Sequence, residues 1–312
     1  MIQRHRIRQR HTPSPQTPWR DIPPRQLAPS RIRAYSCSSG HGSARWVRET
    51  IPRVSERPCQ YCRHEDEHAM PNATKFPNAL VVITGAGRPS QLGETLAAHF
   101  AATGFSLALI GRTLDEAQAR TAELTASPSG QRFTAHAADL ASPAAAESVA
   151  AEVLLAHKTS RVHAVVCVAG GFGATGPLDE ADPDAWHQQF AINVDTAFAT
   201  TRAFLPALRE AKGSLVYFGS ASALPGGSPK GLAAYAAAKS GVLALMRTVA
   251  LDEKAHGVRA NAVAPTAIRT ATNLADMGDK TFYVERESVA DVVAFLVSPA
   301  ARNITGQVIT LA

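Results

Sequence analysis

From residue 79 onward, short unbroken apolar runs alternate with longer stretches in which apolar positions recur every three or four residues. The first run, Ala79-Leu-Val-Val-Ile83, has the continuous hydrophobicity of a parallel strand buried on both faces. Leu92, Leu96 and Phe100 then share one face of a helix. The alternation continues through a strand at 105–110, a helix at 114–126, a strand at 133–138, a helix at 143–157 and a strand at 162–168. Next come a long apolar helix containing Ala191-Ile192-Asn193-Val194, a strand at 215–218 and a helix at 232–251. A strand at 257–264, a polar loop over 265–285, a helix at 289–297 and a last strand at 306–311 complete the pattern. Such a series predicts an α/β fold, a doubly wound parallel sheet of about seven strands with right-handed crossovers. Residues 70–312 are long enough to form it as a single domain. Ligands of such sheets bind beyond the C-terminal ends of the strands.

The first 69 residues break the pattern. They hold thirteen Arg, no Lys and six acids, with no sustained periodicity. This composition cannot bury a core and predicts a disordered Arg- and Pro-rich leader. An Arg-rich, Ser-rich, acid-poor segment suits an organelle transit peptide, and Arg33-Ala34-Tyr35-Ser36 resembles a mitochondrial processing site. Its prolines, however, work against the amphipathic helix that such a peptide needs. Transit peptide, disordered extension, and a gene-model extension upstream of a start at Met70 stand as equal readings, so cytoplasmic and mitochondrial locations both stay open. Cys59-Gln-Tyr-Cys62-Arg-His64-Glu-Asp-Glu-His68 has the residue types of a zinc site, but one residue separates Cys62 from His64 where a finger needs about a dozen. No metal is expected.

Charge narrows the partners. From Met70 onward there are 19 basic and 20 acidic residues, so the formal charge of +6 belongs to the leader. The folded part has no basic excess with which to neutralise phosphates, and nucleic acid is not an expected partner. No apolar run approaches the ~20 residues needed to cross a bilayer, so no membrane partner is expected either. Four Cys in 312 residues do not make a disulfide framework, and a reducing compartment is the default.

The chemistry-bearing residues fall at the predicted strand ends. Thr84-Gly85-Ala86-Gly87-Arg88-Pro89-Ser90-Gln91-Leu92-Gly93 joins a strand to a helix, the arrangement in which glycines admit a pyrophosphate and helix amides point at it. After the second strand stand Gly111 and Arg112, where a site for the unphosphorylated cofactor would place a carboxylate on the ribose. Arg88 and Arg112 favour a 2′-phosphate instead, hence NADP(H) over NAD(H). Asp139-Leu140 and Ala169-Gly170 end the third and fourth strands, and Ser220 and Ser222 follow the fifth. Asn193 is polar among apolar neighbours and needs partners. Tyr235 and Lys239 lie one turn apart on one helix face, and an ammonium beside a phenol is expected to lower the phenol pKa from about 10 toward working pH.

In this order, Thr84-Gly85, Asp139-Leu140, Ala169-Gly170, Asn193, Ser220, Tyr235-x-x-x-Lys239, Asn261-Ala-Val-Ala-Pro265, Thr270 and Ile304-Thr-Gly306-Gln make residues 79–312 resemble the short-chain dehydrogenase/reductase family. The resemblance implies a Rossmann-like fold and an NAD(P)-dependent enzyme acting on a small-molecule carbonyl or alcohol, assembled as a homo-oligomer, dimer or tetramer. It implies Tyr235 as general acid/base, Lys239 as the group that lowers its pKa and holds the nicotinamide ribose, Ser220 as the carbonyl-orienting hydroxyl and Asn193 as the anchor of a proton-relay water. Gly85, Gly87, Arg88, Leu92, Gly93, Arg112, Asp139, Leu140, Ala169, Gly170, Ile268 and Thr270 join Tyr235 and Lys239 as cofactor-binding positions, Ile268 and Thr270 matching contacts to the nicotinamide amide. The chain departs from the family pattern at Pro89 and Gln91 in the turn, at Cys167-Val168 in place of two Asn, and at Thr266 in place of Gly. These departures motivate a second reading, a non-catalytic NADP(H)-binding regulator or sensor.

Counting along the fifth strand selects Ser220 as the active hydroxyl, whereas counting back from Tyr235 selects Ser222. With Ser220 chosen, Ser220→Ala should abolish turnover and Ser222→Ala should retain it. Steady-state rates of the two variants check the choice, and the reverse pattern moves the role to Ser222.

Overall fold

The computed structural model describes residues 79–124 and 130–312. The leader, its zinc-like cluster and the far end of the predicted 114–126 helix lie outside the described residues. Seven parallel strands form one sheet in the order β3-β2-β1-β4-β5-β6-β7. They are β1 (Leu80–Thr84), β2 (Ser106–Gly111), β3 (Phe133–Ala137), β4 (Ala164–Cys167), β5 (Ser214–Phe218), β6 (Arg259–Pro265) and β7 (Val308–Leu311). The helices between them are α1 (Leu92–Ala102), α2 (Leu114–Ala122), α3 (Pro143–His157), α4 (Pro183–Phe190), α5 (Thr196–Ala211), α6 (Ala233–Asp252), α7 (Ala271–Met277) and α8 (Arg286–Val297). None among the described residues is long and apolar enough to cross a membrane.

The unbroken apolar runs became strands because helices cover both sheet faces. β1, β2, β4 and β5 are buried along their whole length. Side chains alternate across the pleat, so Leu80, Val82, Val165, Leu215 and Tyr217 enter one core with residues of α3, α5 and α6. Val81, Ile83, Val166, Val216 and Phe218 enter the other with α1 and α8. Register is in phase across the centre, with Thr84 opposite Ile110 on one side and Cys167 on the other. The strand order reverses between β1 and β4, and the connections leave a crevice above their C-terminal ends.

Two departures from the expected pattern matter. Residues 265–285, read as a polar loop, contain α7, and Thr270 caps it by accepting from the Asn273 amide. The helix carrying Asn193 is interrupted by a five-residue π-turn, Ala191–Asp195, between α4 and α5. In such a turn one extra residue is carried without breaking the helix, and the side chains after it are re-aimed.

The connection from β1 to α1 is held by charge. Ser90 takes a left-handed φ of 54°, uncommon outside glycine. Its amide donates to Glu94 at 2.6 Å, and Glu94 also pairs with Arg120 at 2.5 Å and Arg286 at 3.4 Å. The Ser90 carbonyl accepts from Ala271, the first residue of α7, at 3.0 Å.

Gly93 shows how closely α1 meets this connection. A Cβ there would lie 2.6 Å from the Ala86 Cα and 2.7 Å from the Gly85 carbonyl oxygen, both backbone atoms that cannot swing aside. Gly93→Ala should therefore cost about 1–3 kcal/mol of stability through overpacking. In thermal melts this corresponds to roughly 2–4 °C per kcal/mol for a domain of this size. An unchanged midpoint would show that α1 has room to move.

Candidate active site

A cleft of about 550 Å³ opens above the C-terminal ends of the strands. All fourteen positions proposed from the sequence for the cofactor line it. Gly85, Gly87, Arg88, Leu92 and Gly93 come from the first turn and the start of α1, and Arg112 follows β2. Asp139, Leu140, Ala169 and Gly170 come from the ends of β3 and β4, Tyr235 and Lys239 from α6, and Ile268 and Thr270 from the segment after β6. Asn193 and Ser220 lie behind this lining, tied to residues within it.

At the first turn the backbone passes close to the exit of β4. Gly85 has φ 70°, and a Cβ on it would sit 2.8 Å from the Ala169 amide nitrogen. The first turn of α1 has no side-chain cap, so its amides are available to an anion above Leu92 and Gly93. Pro89 has no N–H, and the Ser90 amide is committed to Glu94. The amides free to meet an anion are therefore at the start of α1 rather than in the middle of the turn. Arg88 and Arg112 are exposed, and they leave from adjoining turns, since a Cβ on Gly111 would lie 3.7 Å from the Gly87 Cα. Glu116 lines the same end, its side chain packed over Gly87. Sequence reading passed over Glu116 because an acid in the first turn of a helix is what the helix dipole alone would favour.

The two Asn missing after β4 are replaced by other ties. The Thr84 hydroxyl accepts from the Ala169 amide at 3.1 Å and donates to the Val166 carbonyl at 3.4 Å, joining β1 to the β4 exit. Cys167 is buried, and burial pushes its thiol up to about 12, so it is an inert packing residue.

At the other end stand the four proposed catalytic residues. Asn193 is only 2% exposed. Its amide nitrogen donates to the carbonyls of Gly171 and Gln189, each at 3.0 Å, and its oxygen accepts from the Gly171 amide at 3.2 Å. The side chain thus stitches the loop after β4 to the π-turn, supplying the partners its burial demands. A Cβ on Gly170 would lie 2.8 Å from the Asn193 oxygen and 3.5 Å from Lys239 Nζ. Lys239 Nζ donates to the Phe218 carbonyl at 3.0 Å and lies 5.8 Å from the centre of the Tyr235 ring. Ser220 and Ser222 share a hydrogen bond of 2.9 Å between their hydroxyls, and Ser220 is the one that also hydrogen-bonds Tyr235.

The electrostatics differ from the expectation of a lowered phenol pKa. Burial raises Tyr235 above its ordinary value, and the hydrogen bond from Ser220 pulls it back only in part. Lys239 is the group pulled down, to about 8, because burial disfavours its charged form. Two further features went unnoticed in the sequence. Phe172 packs edge-to-face on Tyr235 with ring centres 5.1 Å apart, and α7 contributes Thr272, Asn273 and Asp276 to the cleft.

No group of three or more His, Cys, Asp or Glu among the described residues could hold a metal ion. The family model described as Enoyl-(Acyl carrier protein) reductase matches residues 85–311. Meso-2,3-butanediol dehydrogenase of Serratia marcescens is 34% identical over 242 residues, 74% of this chain and 92% of the relative. Cyclohexanol dehydrogenase of an Acinetobacter species is 31% identical over 244 residues, 75% and 93% of the two chains. Among solved structures, levodione reductase superimposes with a TM-score of 0.67 at 26% identity, covering 75% of this chain and 95% of that one. A short-chain type dehydrogenase/reductase from Mycobacterium ulcerans gives 0.69 at 28% identity, covering 75% and 88%.

Folding strips a proton from Lys239 between pH 8 and its ordinary value of 10.5, because only the unfolded chain stays charged there. The penalty is full below pH 8 and disappears as pH climbs through this window, so wild-type stability gains with pH. Lys239→Met abolishes that gain. Unfolding free energies of the two proteins between pH 7.5 and 10 should therefore diverge in favour of wild type, and a pH-independent difference would contradict the lowered pKa.

Proposed function

The chain belongs to the short-chain dehydrogenase/reductase family of NAD(P)-dependent oxidoreductases, and within it we propose that the protein moves hydride between NADPH and the carbonyl carbon of a ketone, or the reverse from a secondary alcohol. The observation that carries this reading is the meeting of Ser220, Tyr235 and Lys239 at one end of a cleft whose other end presents Arg88 and Arg112. Relatives named for butanediol and cyclohexanol act on neutral alcohols, which supports the substrate class.

Supporting a dinucleotide are the glycines that let protein segments close tightly around the strand ends and the uncapped amides that α1 offers to an anion. Arg88 and Arg112 would hold the 2′-phosphate, and Lys239 the nicotinamide ribose. Bound NADPH supplies the hydride, and the protein supplies position and a proton. Ser220, held by Ser222, orients the carbonyl oxygen. Tyr235, kept protonated by burial, delivers its proton to that oxygen as negative charge develops there. The resulting phenolate would be stabilised by the Lys239 ammonium beneath the ring. Asn193 holds the π-turn in place beside Lys239 and so would keep a relay path open. In the alcohol-oxidising direction the steps run in reverse, with the Tyr235 phenolate, stabilised by Lys239, accepting the proton. A regulator that only bound the nucleotide would have no use for these four side chains together.

A panel of ketones assayed with both cofactors tests this reading. Tyr235→Phe should lower kcat by about 10²–10⁴ while nucleotide binding persists. Arg88→Ala and Arg112→Ala should each raise the NADPH KM by roughly ten- to a hundredfold, the worth of a hydrogen bond to a charged group, and barely alter NADH. A wild-type preference for NADH overturns the cofactor assignment, and full activity of Tyr235→Phe overturns the acid assignment.

A further inference from the structure

The loop after β4 presents one large side chain to the cleft. Gly171 and Gly173 press against the α4 region so closely that a Cβ on them would lie 2.8 Å from Ile192 Cδ1 and 2.5 Å from Gln189 Nε2. Asn193 fixes the same loop through both backbone polar groups of Gly171. Phe172, between the two glycines, therefore stands on a backbone tied to the π-turn through Gly171. It lines the cleft and is 59% exposed, although one of its edges is against the Tyr235 ring at an interplanar angle of 71°. An aromatic face held in water beside a proton donor is unfavourable unless something apolar covers it.

The charges around the cleft point the same way. Its lining cations among the described residues are Arg88, Arg112 and Lys239. The two arginines leave from the first turn and the end of β2, and Lys239 is buried and donates to the Phe218 carbonyl. Among the described residues no further cation lines the cleft for a carboxylate or phosphate on the substrate, and α7 adds the carboxylate of Asp276 to the lining. A negatively charged substrate would lose its hydration here without gaining a partner.

We propose that Phe172 determines specificity by packing against an apolar substituent on the reacting carbon, so that the substrate is an uncharged ketone or secondary alcohol bearing an alkyl chain or aryl ring. This rests on the oxidoreductase reading of the same cleft. Nothing in it depends on which nicotinamide cofactor is used.

The test is a series of methyl ketones from butan-2-one to octan-2-one, with acetophenone and a 2-oxo acid matched in length, assayed with the cofactor the wild type prefers. Wild-type kcat/KM should climb by about three- to fourfold per added methylene until the contact is complete, the worth of burying that group. It should also favour each ketone over its matched 2-oxo acid. Phe172→Ala should flatten the climb and lower the octan-2-one to butan-2-one ratio at least tenfold, and Phe172→Leu should restore part of it. A general structural defect would lower all rates alike and leave the ratio in place. An unaltered ratio in both variants, or a wild type that prefers the 2-oxo acid, overturns the proposal while leaving the oxidoreductase reading intact. Failure of the wild type to reduce any ketone with either cofactor overturns both.

Discussion

A buried ammonium sets the terms for the rest of the site. Lys239 is enclosed by α6 and the end of β5 and, among the described residues, makes a single hydrogen bond, to the Phe218 carbonyl. Burying a charge costs several kcal/mol unless partners compensate. One carbonyl compensates only in part, and the pKa falls to about 8 as a result. The position is tolerable because the surroundings are over-determined. Phe218 is fixed at a central strand end, Gly170 leaves room for the Asn193 side chain, and Asn193 clamps the adjoining loop. Tyr235, one helical turn away, inherits both its place and its partly dehydrated environment from this arrangement.

The turn after β1 solves a different difficulty. It lacks two of the glycines that would make it flexible, and in their place stand Pro89 and Gln91. The chain turns at Ser90 with an uncommon backbone angle, and the Glu94 carboxylate holds the amide there. Glu94 is in turn neutralised by Arg120 and Arg286, from α2 and α8. Three helices thus converge on one carboxylate to stabilise a turn that glycine would have formed without assistance. The two glycines that remain indispensable are those where backbone meets backbone, Gly85 against Ala169 and Gly93 against Ala86.

How far the sequence reveals this depends on what each feature leaves in the pattern of residues. Strands such as β1 and β4 were plain because burial on both faces leaves an unbroken apolar run. The order of Asn193, Ser220, Tyr235 and Lys239 was equally legible, since strand ends must converge in a parallel sheet. Helix α7 was not, because none of its seven residues is buried and no apolar period marks it. The π-turn has no residue signature, only an altered geometry. The direction of the Tyr235 shift was misjudged because spacing shows that a phenol and an ammonium are neighbours but not that both are buried. Phe172 was hidden for a simpler reason, being one aromatic among glycines, with no period to join.

The bond from the Ala271 amide to the Ser90 carbonyl joins two parts of the chain that lie 181 residues apart. Ser90 stands between the lining residues Arg88 and Gln91, and Ala271 opens the helix that brings Asn273 and Asp276 to the cleft. Neither segment can shift without dragging the other or breaking that contact. One backbone bond thus fastens together two stretches whose neighbouring residues, Arg88 and Gln91 on one side and Thr270 and Thr272 on the other, line the same cleft.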